Sequence, residues 1–428
     1  MKYHVEVKES ARYGRVLVTT KSFNAGDVIL REDVPLLKSY KGDLTPGELT
    51  EMESYKRSLP AEDRLIIESN VRFLRAFCMA PESVRAEVLD CFTPPEVEYK
   101  KTRVFKANVV VIPLVQRFAW SKGFDVPLLE KVLVIRFVNG HGDDNNALSG
   151  TSIYRLMSKL RHSCESNVTL IDGQLVALKN LRKGEEALFS YVNAFHSTPF
   201  RKYLLRECYF FDCTCDKCTK GVDRYRGMVC AACGKGTMWY NNDTQIWTGE
   251  CCKKTMCIGM IVGESDAENQ SRYPGLSIET CLKKVQHLKP DFGENHASVK
   301  FFELVILKNL IDITFDSLNR MNNLIGEMEA IGKTVNEKVI ERIRPEPNLV
   351  EQVKILALNL LKWAGSLDFV GEMEFMRAAA VLMSAGFYDE ALIICKALRD
   401  SVTLKVRNKT LLEDVINGIA TCESIGKK

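Results

Sequence analysis

The sequence lacks the features that would place it in a membrane or on a secretory route. Its most apolar run, residues 107–120, is interrupted by Gln116 and Arg117 and is too short to span a bilayer. The first ten residues, MKYHVEVKES, hold no apolar core of the length that a secretory signal needs. We therefore expect a soluble intracellular protein, located in the cytoplasm, the nucleus or both.

An excess of charge of one sign is also lacking. The 428 residues carry a formal net charge of +4, and no long block of like charge or low-complexity tract occurs. A protein whose main ligand is nucleic acid usually has a denser basic stripe, so this balance argues against that class. Hydrophobic residues make up 46% of the chain, which is enough for two or three domains with their own cores.

The pattern along the chain predicts an α+β protein with an all-α C-terminal part. Short β-branched runs and turn signals at both ends of the first half indicate strands, including a hairpin at Asp172-Gly173. Helical spacing dominates elsewhere, and residues 378–398 have the pattern of a tetratricopeptide (TPR) helix pair. The predicted regions are a β-rich domain in two parts, 1–43 and 121–200, a helical insertion at 44–120, a cysteine-rich segment at 201–220, a candidate zinc ribbon at 225–262 and a helical TPR-like domain at 270–428.

Cysteine is unevenly distributed. Nine of the 15 cysteines lie between Cys208 and Cys257, and clustered pairs in an intracellular chain indicate metal more than disulfides. The segment Cys213-Thr-Cys215-Asp-Lys-Cys218 holds three thiolates too close together for sensible disulfide pairing. They can surround one side of a tetrahedral zinc ion, which then needs a fourth ligand from elsewhere.

A second zinc site is predicted further along the chain. Cys230-Ala-Ala-Cys233 has the spacing of a zinc knuckle, with a turn at Gly234. Two later cysteines would complete a ribbon, and we assign Cys252 and Cys257. The sequence leaves open whether Cys251 takes the place of Cys252.

Three further segments carry a family resemblance. They read RHSCESN at 161–167, GEEALFSY at 184–191 and YFFDC at 209–213. In order and spacing they resemble the N-H-S-C-x-x-N, G-E-E-L-x-x-x-Y and post-SET segments of SET-domain protein-lysine methyltransferases. The segment IRFVNGHG at 135–142 and the helical C-terminal half resemble the SET-and-MYND (SMYD-like) subgroup. Residues 44–120 contain only Cys78 and Cys91, so the resemblance implies a relative that lacks the MYND zinc module.

The resemblance implies a fold, two cofactors and a set of site residues. The fold would be a β-rich SET domain with a knot-like cofactor site, a post-SET zinc site and the TPR-like domain, and the cofactors would be S-adenosylmethionine and zinc. Tyr191 and Tyr209 would be catalytic, lining the channel for the substrate lysine, without a strong general base. The implied zinc ligands are Cys164, Cys213, Cys215 and Cys218. The implied cofactor-binding residues are Gly14, Arg15, Asn139, Arg161, His162, Tyr191 and Phe211, of which Phe211 would stack on the adenine.

Three positions depart from the family pattern: Val16 replaces a glycine, Arg161 an asparagine and Ser166 a proline. Arg161 could weaken cofactor binding, or its guanidinium could reach the cofactor's carboxylate. The leading hypothesis is methylation of lysine on histone or other proteins, with further protein partners at the TPR-like region. The main alternative is a catalytically weak or inactive SET scaffold that acts as an interaction module, and a zinc-ribbon nucleic-acid binder is a third reading.

Overall fold

The computed structural model describes residues 4–11, 13–40, 42–142, 151–171, 173–256, 264–270, 276–331, 333–334, 336–365, 372–401 and 409–425. The chain divides into two compact units, Met1–Val192 with Lys202–Cys213, and Asn193–Arg201 with Thr214–Lys428. Within the described residues, no helix combines the length and the apolar character needed to cross a membrane.

The strands of the first unit are short. They are β1 Val5–Ser10, β2 Gly14–Thr19, β3 Val28–Arg31, β4 Leu37–Lys38, β5 His141–Gly142, β6 Thr151–Ile153, β7 Arg161–His162, β8 Val168–Ile171, β9 Gln174–Ala177 and β10 Leu188–Phe189. They pair as β1-β2, β3-β9-β8, β4-β6-β5 and β7-β10, and all pairs are antiparallel except β7-β10. The predicted hairpin is present as β8-β9, and Gly173 at its turn has a φ of 73° that favours glycine.

The helices of the first unit lie mainly between β4 and β5. These are α1 Pro46–Arg57, α2 Ala61–Arg64, α3 Ile67–Met79, α4 Glu82–Leu89, α5 Glu96–Tyr99, α6 Arg103–Val109 and α7 Ile112–Val115, and α8 Val126–Asn139 follows. Thr45 and Glu48 form a capping box at the start of α1, which satisfies backbone groups that a helix end leaves without partners. Phe73, Leu74 and Phe77 of α3 are fully buried in a core shared with Leu133 of α8.

The second unit joins an antiparallel sheet to a helical region. Its strands, paired in chain order, are β11 Val222–Val229, β12 Thr237–Asn241, β13 Ile246–Gly249 and β14 Thr255–Met256. After α9 Thr198–Tyr209, the remaining helices are α10 Asp216–Thr219, α11 Glu264–Gln270, α12 Ile278–Phe292, α13 Ala297–Ala330, α14 Glu337–Ile343, α15 Pro347–Ala364, α16 Glu372–Ser384, α17 Tyr388–Asp400 and α18 Lys409–Ile425. One continuous apolar core, including Phe302, Val353 and Leu382, joins α12, α13, α15, α16, α17 and α18.

The mixed composition of helix and sheet and the helical C-terminal region are confirmed. Helix α11 lies in a polar stretch of the sequence, and α13 continues as far as Ala330. The strand expected over 185–191 shortens to β10. Helices α16 and α17 pack against each other across Gly386, whose φ is 85°. The TPR-like character of this helical region stays a prediction.

Candidate functional site

Two of the motif segments lie side by side in the first unit. Parallel pairing of β7 with β10 sets His162 opposite Phe189. Asn167 holds the two segments together, because its Oδ1 accepts from Leu188 N at 2.7 Å and its Nδ2 donates to Glu186 O at 2.9 Å. Since Asn167 is buried, its amide fixes the register of the loops that carry Tyr191.

The imidazole of His162 connects a tyrosine backbone to a cysteine. Its Nδ1 accepts a hydrogen bond from Tyr191 N at 3.0 Å, so the ring proton lies on Nε2. That Nε2 lies 3.2 Å from the sulfur of Cys164, to which it donates. The side chain is buried.

Aromatic rings collect around His162. The ring centroids of Tyr191 and Tyr209 lie 4.9 Å apart, and Phe211 lies 6.4 Å from Tyr191 and 5.7 Å from His162. The Tyr191 hydroxyl donates to Leu160 O, and the Tyr209 hydroxyl donates to Tyr191 O at 3.4 Å. Burial, together with the neighbouring Tyr209, raises the pKa of Tyr191, so its hydroxyl stays protonated. The structure thus brings together both predicted catalytic tyrosines and the predicted stacking ring.

Arg161 has a different set of partners. Its Nε and Nη2 donate to the two carboxylate oxygens of Glu186 at 2.6 and 2.8 Å, and its guanidinium lies 4.2 Å from the ring centroid of Tyr13. The hydrogen bonds that Arg161 donates to Glu186 raise the pKa of Arg161, so the guanidinium is charged. Tyr13 precedes Gly14, whose φ of 68° favours glycine. Arg161 therefore lies beside the predicted cofactor loop, paired with an acid of the same site.

Arg15 and Asn139 both bond to one short stretch of the insertion. Arg15 donates to the carboxylate and to the carbonyl of Asp90, each at 2.5 Å. The Nδ2 of Asn139 donates to Phe92 O at 2.9 Å and to Ile135 O at 3.0 Å. The hydrogen bond from Arg15 lowers the pKa of Asp90, which therefore stays ionised. Asp90 and the Phe92 carbonyl were missed from the sequence, because no motif marks them.

Four cysteine sulfurs form the first metal-compatible group. The sulfurs of Cys164, Cys213, Cys215 and Cys218 all lie within 4.8 Å of one another. A tetrahedral zinc ion holds its sulfurs about 3.8 Å apart, because each Zn–S bond is about 2.3 Å. The backbone N–H of Cys218 donates to Cys215 O at 2.9 Å, a turn that directs both side chains to the same point. The residues present therefore fit a structural zinc ion.

A second group of four sulfurs lies at the ends of β11 and β13. It contains Cys230, Cys233, Cys251 and Cys252, again within 4.8 Å of one another. Cys230 lies 3.5 Å from Cys252, and Cys233 lies 3.2 Å from Cys251, measured between sulfurs. Hydrogen bonds from the Lys235 backbone and from Cys251 lower the pKa of Cys233 to about 6, which favours the thiolate that binds zinc. The sequence left open whether Cys251 or Cys252 is a zinc ligand, and the structure places both in the group. Cys257, the other predicted ligand, lies outside the described residues.

A third group, which the sequence did not reveal, is buried in the second unit. The carboxylate of Glu264 accepts hydrogen bonds from Nε and Nη2 of Arg226 at 2.7 and 2.8 Å, and it lies 3.0 Å from Nε2 of His296. Glu268, one helical turn later, contacts His196 Nδ1 at 2.8 Å. Because these acids already have cationic or hydrogen-bonding partners, we assign the group to the stability of the unit rather than to metal binding.

Curated proteins with similar sequences are lysine methyltransferases. The chain is 37% identical over 164 residues to histone-lysine N-methyltransferase SET5 of Candida glabrata, covering 37% of this chain and 30% of that protein. It is 32% identical over 114 residues to N-lysine methyltransferase SMYD2-B of Danio rerio, and 36% identical over 110 residues to SMYD2 of Gallus gallus. These two alignments cover 24% and 23% of this chain, and 26% and 25% of those proteins. The chain thus spans less than a third of the length of these relatives.

Other comparisons are less informative. No family model matches the chain. A crystal structure of the SET domain of LSMT bound to lysine and AdoHcy aligns with 86% of this chain and 89% of its own, at 12% identity and a TM-score of 0.33. That score is too low to define a shared fold.

Proposed function

We propose that this protein is an S-adenosylmethionine-dependent protein-lysine methyltransferase, a SET-and-MYND relative without the MYND zinc module. One observation supports this above all. Tyr191 and Phe211, which come from two separate motifs, pack against His162, and Tyr209 packs against Tyr191. His162 also bonds both Tyr191 and the zinc-ligand candidate Cys164. Sequence similarity to named lysine methyltransferases supports the same activity class.

S-adenosylmethionine supplies an electrophilic methyl group on a positively charged sulfur. Aromatic ring faces attract such cations by about 0.5–2 kcal/mol each, and the rings of Tyr191 and Tyr209 offer them without an anion. Phe211, beside His162, offers the apolar face on which an adenine can stack. Gly14, with its left-handed backbone, allows a ligand to approach the main chain closely.

The substrate lysine must lose a proton before it can attack. Its pKa is ~10.4, so the neutral amine costs roughly 4–5 kcal/mol at pH 7. The neutral Tyr191 hydroxyl does not hold that proton as an adjacent carboxylate would, and the charge of the bound cofactor lowers the amine's pKa. Positioning by Tyr191 and Tyr209 then supplies most of the rate.

Zinc is proposed to be structural at both cysteine groups. The donor set of four thiolates matches sites that leave no open position for a substrate. Cys164 follows His162 by two residues, so metal at the first group would restrain the loop that carries the hydrogen bond to Tyr191. At the second group the ligands would be Cys230, Cys233 and two of Cys251, Cys252 and Cys257.

The substrate is proposed to be a lysine of a histone or of another protein, in the cytoplasm or the nucleus. The helical C-terminal region, including the α16–α17 pair, is proposed as a TPR-like surface for protein partners. Neither proposal requires nucleic acid as the main ligand, since the net charge of +4 is small for this length.

The decisive experiment is incubation of the protein with S-adenosylmethionine labelled on the methyl group and a proteome extract. We expect labelled protein whose label remains on lysine after acid hydrolysis. A scaffold without activity is the second candidate, because the side chains of Arg15, Asn139 and Arg161 already have protein partners. Calorimetric titration with S-adenosylmethionine separates the two: no heat and no thermal stabilisation would establish the scaffold.

A further inference from the structure

The segment Asp90–Phe92, which follows α4 in the insertion, bonds two sides of the candidate site at once. Asp90 accepts two hydrogen bonds from the Arg15 guanidinium, one at its carboxylate and one at its backbone carbonyl. Two residues later, the carbonyl of Phe92 accepts from Asn139 at the end of α8. Strand β2 and helix α8 are therefore tied to the same three residues.

Arg15 and Asn139 are each close in sequence to an aromatic residue that contacts a residue of the candidate site. Arg15 is two positions after Tyr13, whose ring lies under Arg161. Asn139 is two positions after Phe137, whose ring centroid lies 6.1 Å from that of Tyr209. The segment thus bonds residues of β2 and α8 that are close in sequence to a partner of Arg161 and to a partner of Tyr209.

We propose that Asp90 is a positioning residue for the cofactor, acting through Arg15. This inference rests on the proposed function. A free arginine side chain samples many rotamers, and ordering it on binding costs about 0.5–1.5 kcal/mol. Asp90 orders Arg15 beforehand, so the insertion contributes to cofactor affinity without touching the substrate lysine.

The chain supplies a matched control on the same helix. Glu87 of α4 forms a two-branched ion pair with Arg155, with one contact of 2.9 Å, and Arg155 is outside the set of cofactor candidates. Both acids are largely exposed, at 66% for Asp90 and 42% for Glu87. Exposed ion pairs of this kind contribute little to folding stability, so Asp90→Asn and Glu87→Gln should both fold normally.

The test is calorimetric titration of the full chain with S-adenosylmethionine. We expect Asp90→Asn to raise the dissociation constant about three- to tenfold, while Asp90→Glu retains most of the affinity and Glu87→Gln matches the wild type. The melting temperature without cofactor should be the same for all four proteins. Because Asp90 acts through Arg15, the double variant Arg15→Gln/Asp90→Asn should bind no more weakly than Arg15→Gln alone.

Two results overturn the inference alone: wild-type affinity in Asp90→Asn, or an equal loss in Glu87→Gln. Additive losses in the double variant overturn the route through Arg15. A wild-type protein that binds no S-adenosylmethionine overturns the proposed function as well, so the two failures are distinguishable.

Discussion

At Tyr191 a single hydroxyl meets two requirements. Burial and the adjacent Tyr209 raise its pKa, and the hydroxyl donates to the carbonyl of Leu160. It is therefore neutral and fixed in direction at physiological pH. A group of this kind can orient an amine, but it cannot take up the proton that the amine releases.

Replacing Tyr191 by phenylalanine should abolish methyl transfer while keeping the fold. The ring and its contacts with Tyr209 and His162 remain, and the hydroxyl alone is lost. We expect at least a ~100-fold fall in turnover, since precise positioning contributes that much or more, with cofactor affinity retained. Tyr55→Phe is the matched control, because Tyr55 also donates to a backbone carbonyl, at 2.7 Å, but lies in α1 away from the site. Wild-type turnover in Tyr191→Phe would remove its catalytic role.

The raised pKa of buried Glu268 predicts that the stability of the second unit depends on pH. Burial raises its pKa to about 7, and Glu264 contributes in the same direction, while His296 and Ser197 oppose it. Because the pKa is raised above its ordinary value of 4.5, the stability that this group contributes is greatest below about pH 4.5. It is lost as the pH rises through about 7.

The free energy of unfolding of Glu268→Gln, relative to that of the wild type, should therefore increase as the pH rises from 5 to 8. The shift in the difference of unfolding free energies should not exceed about 3 kcal/mol, given 1.36 kcal/mol for each pKa unit. Thermal melting at the two pH values measures it, with the exposed Glu279→Gln of α12 as control. A difference that stays constant with pH would contradict the assignment.

At the scale of the elements, strong local sequence patterns correctly predicted individual strands and helix ends. The Asp-Gly turn predicted β8-β9, and Thr45-Pro46 with Glu48 predicted the start of α1. Helix α11 was not predicted because its sequence, ESDAENQ, has no apolar face. Its position is fixed by the ion pair of Glu264 with Arg226 and by the hydrogen bond between Glu268 and His196, partners distant in sequence. Strand β10 is short because most of its segment bonds through loops rather than through a ladder.

At the candidate site, too, some residues could be predicted from the sequence and others could not. The family resemblance implied Tyr191, Tyr209, Phe211 and the first group of four cysteines, and the structure brings the three rings close together and the four sulfurs close together. Their hydrogen-bond partners could not be predicted. Leu160 and Phe92 act through carbonyls, which every residue has, and Asp90 lies in an insertion without a recognisable motif.

Asn167 joins two elements, so its loss should affect the site more than its size suggests. Asn167→Ala leaves Leu188 N and Glu186 O without their buried partners, which should destabilise the first unit by about 1–3 kcal/mol for each group left unpaired. Urea unfolding monitored by the fluorescence of Trp120 measures this. The exposed Asn180→Ala, whose Oδ1 accepts from Ala25 N at 3.0 Å, should change stability far less. An equal effect of the two variants would show that Asn167 does not clamp the loops.

At the scale of the whole molecule, the two proposed zinc ions would link positions that are far apart in the sequence. Cys164 follows a strand of the first half, whereas Cys213, Cys215 and Cys218 follow the aromatic segment that carries Tyr209 and Phe211. The second group joins the Cys230–Cys233 knuckle to the turn after β13. Binding free energy at such sites is also folding free energy, because the unfolded chain does not hold its sulfurs together.

The purified protein should therefore contain about two zinc ions per chain, one at each group of four sulfurs. Cys215→Ser should lower the content to about one and abolish methyl transfer, because the first group restrains His162 and with it the backbone of Tyr191. Cys230→Ser should also lower the content to about one, yet it should retain cofactor binding, because the described ligands of the second group lie at the ends of β11 and β13 and are not residues of the aromatic site. Elemental analysis and calorimetry on the same samples provide both measurements. If Cys230→Ser lost the cofactor and Cys215→Ser kept it, the two groups would have the reverse of the roles assigned to them.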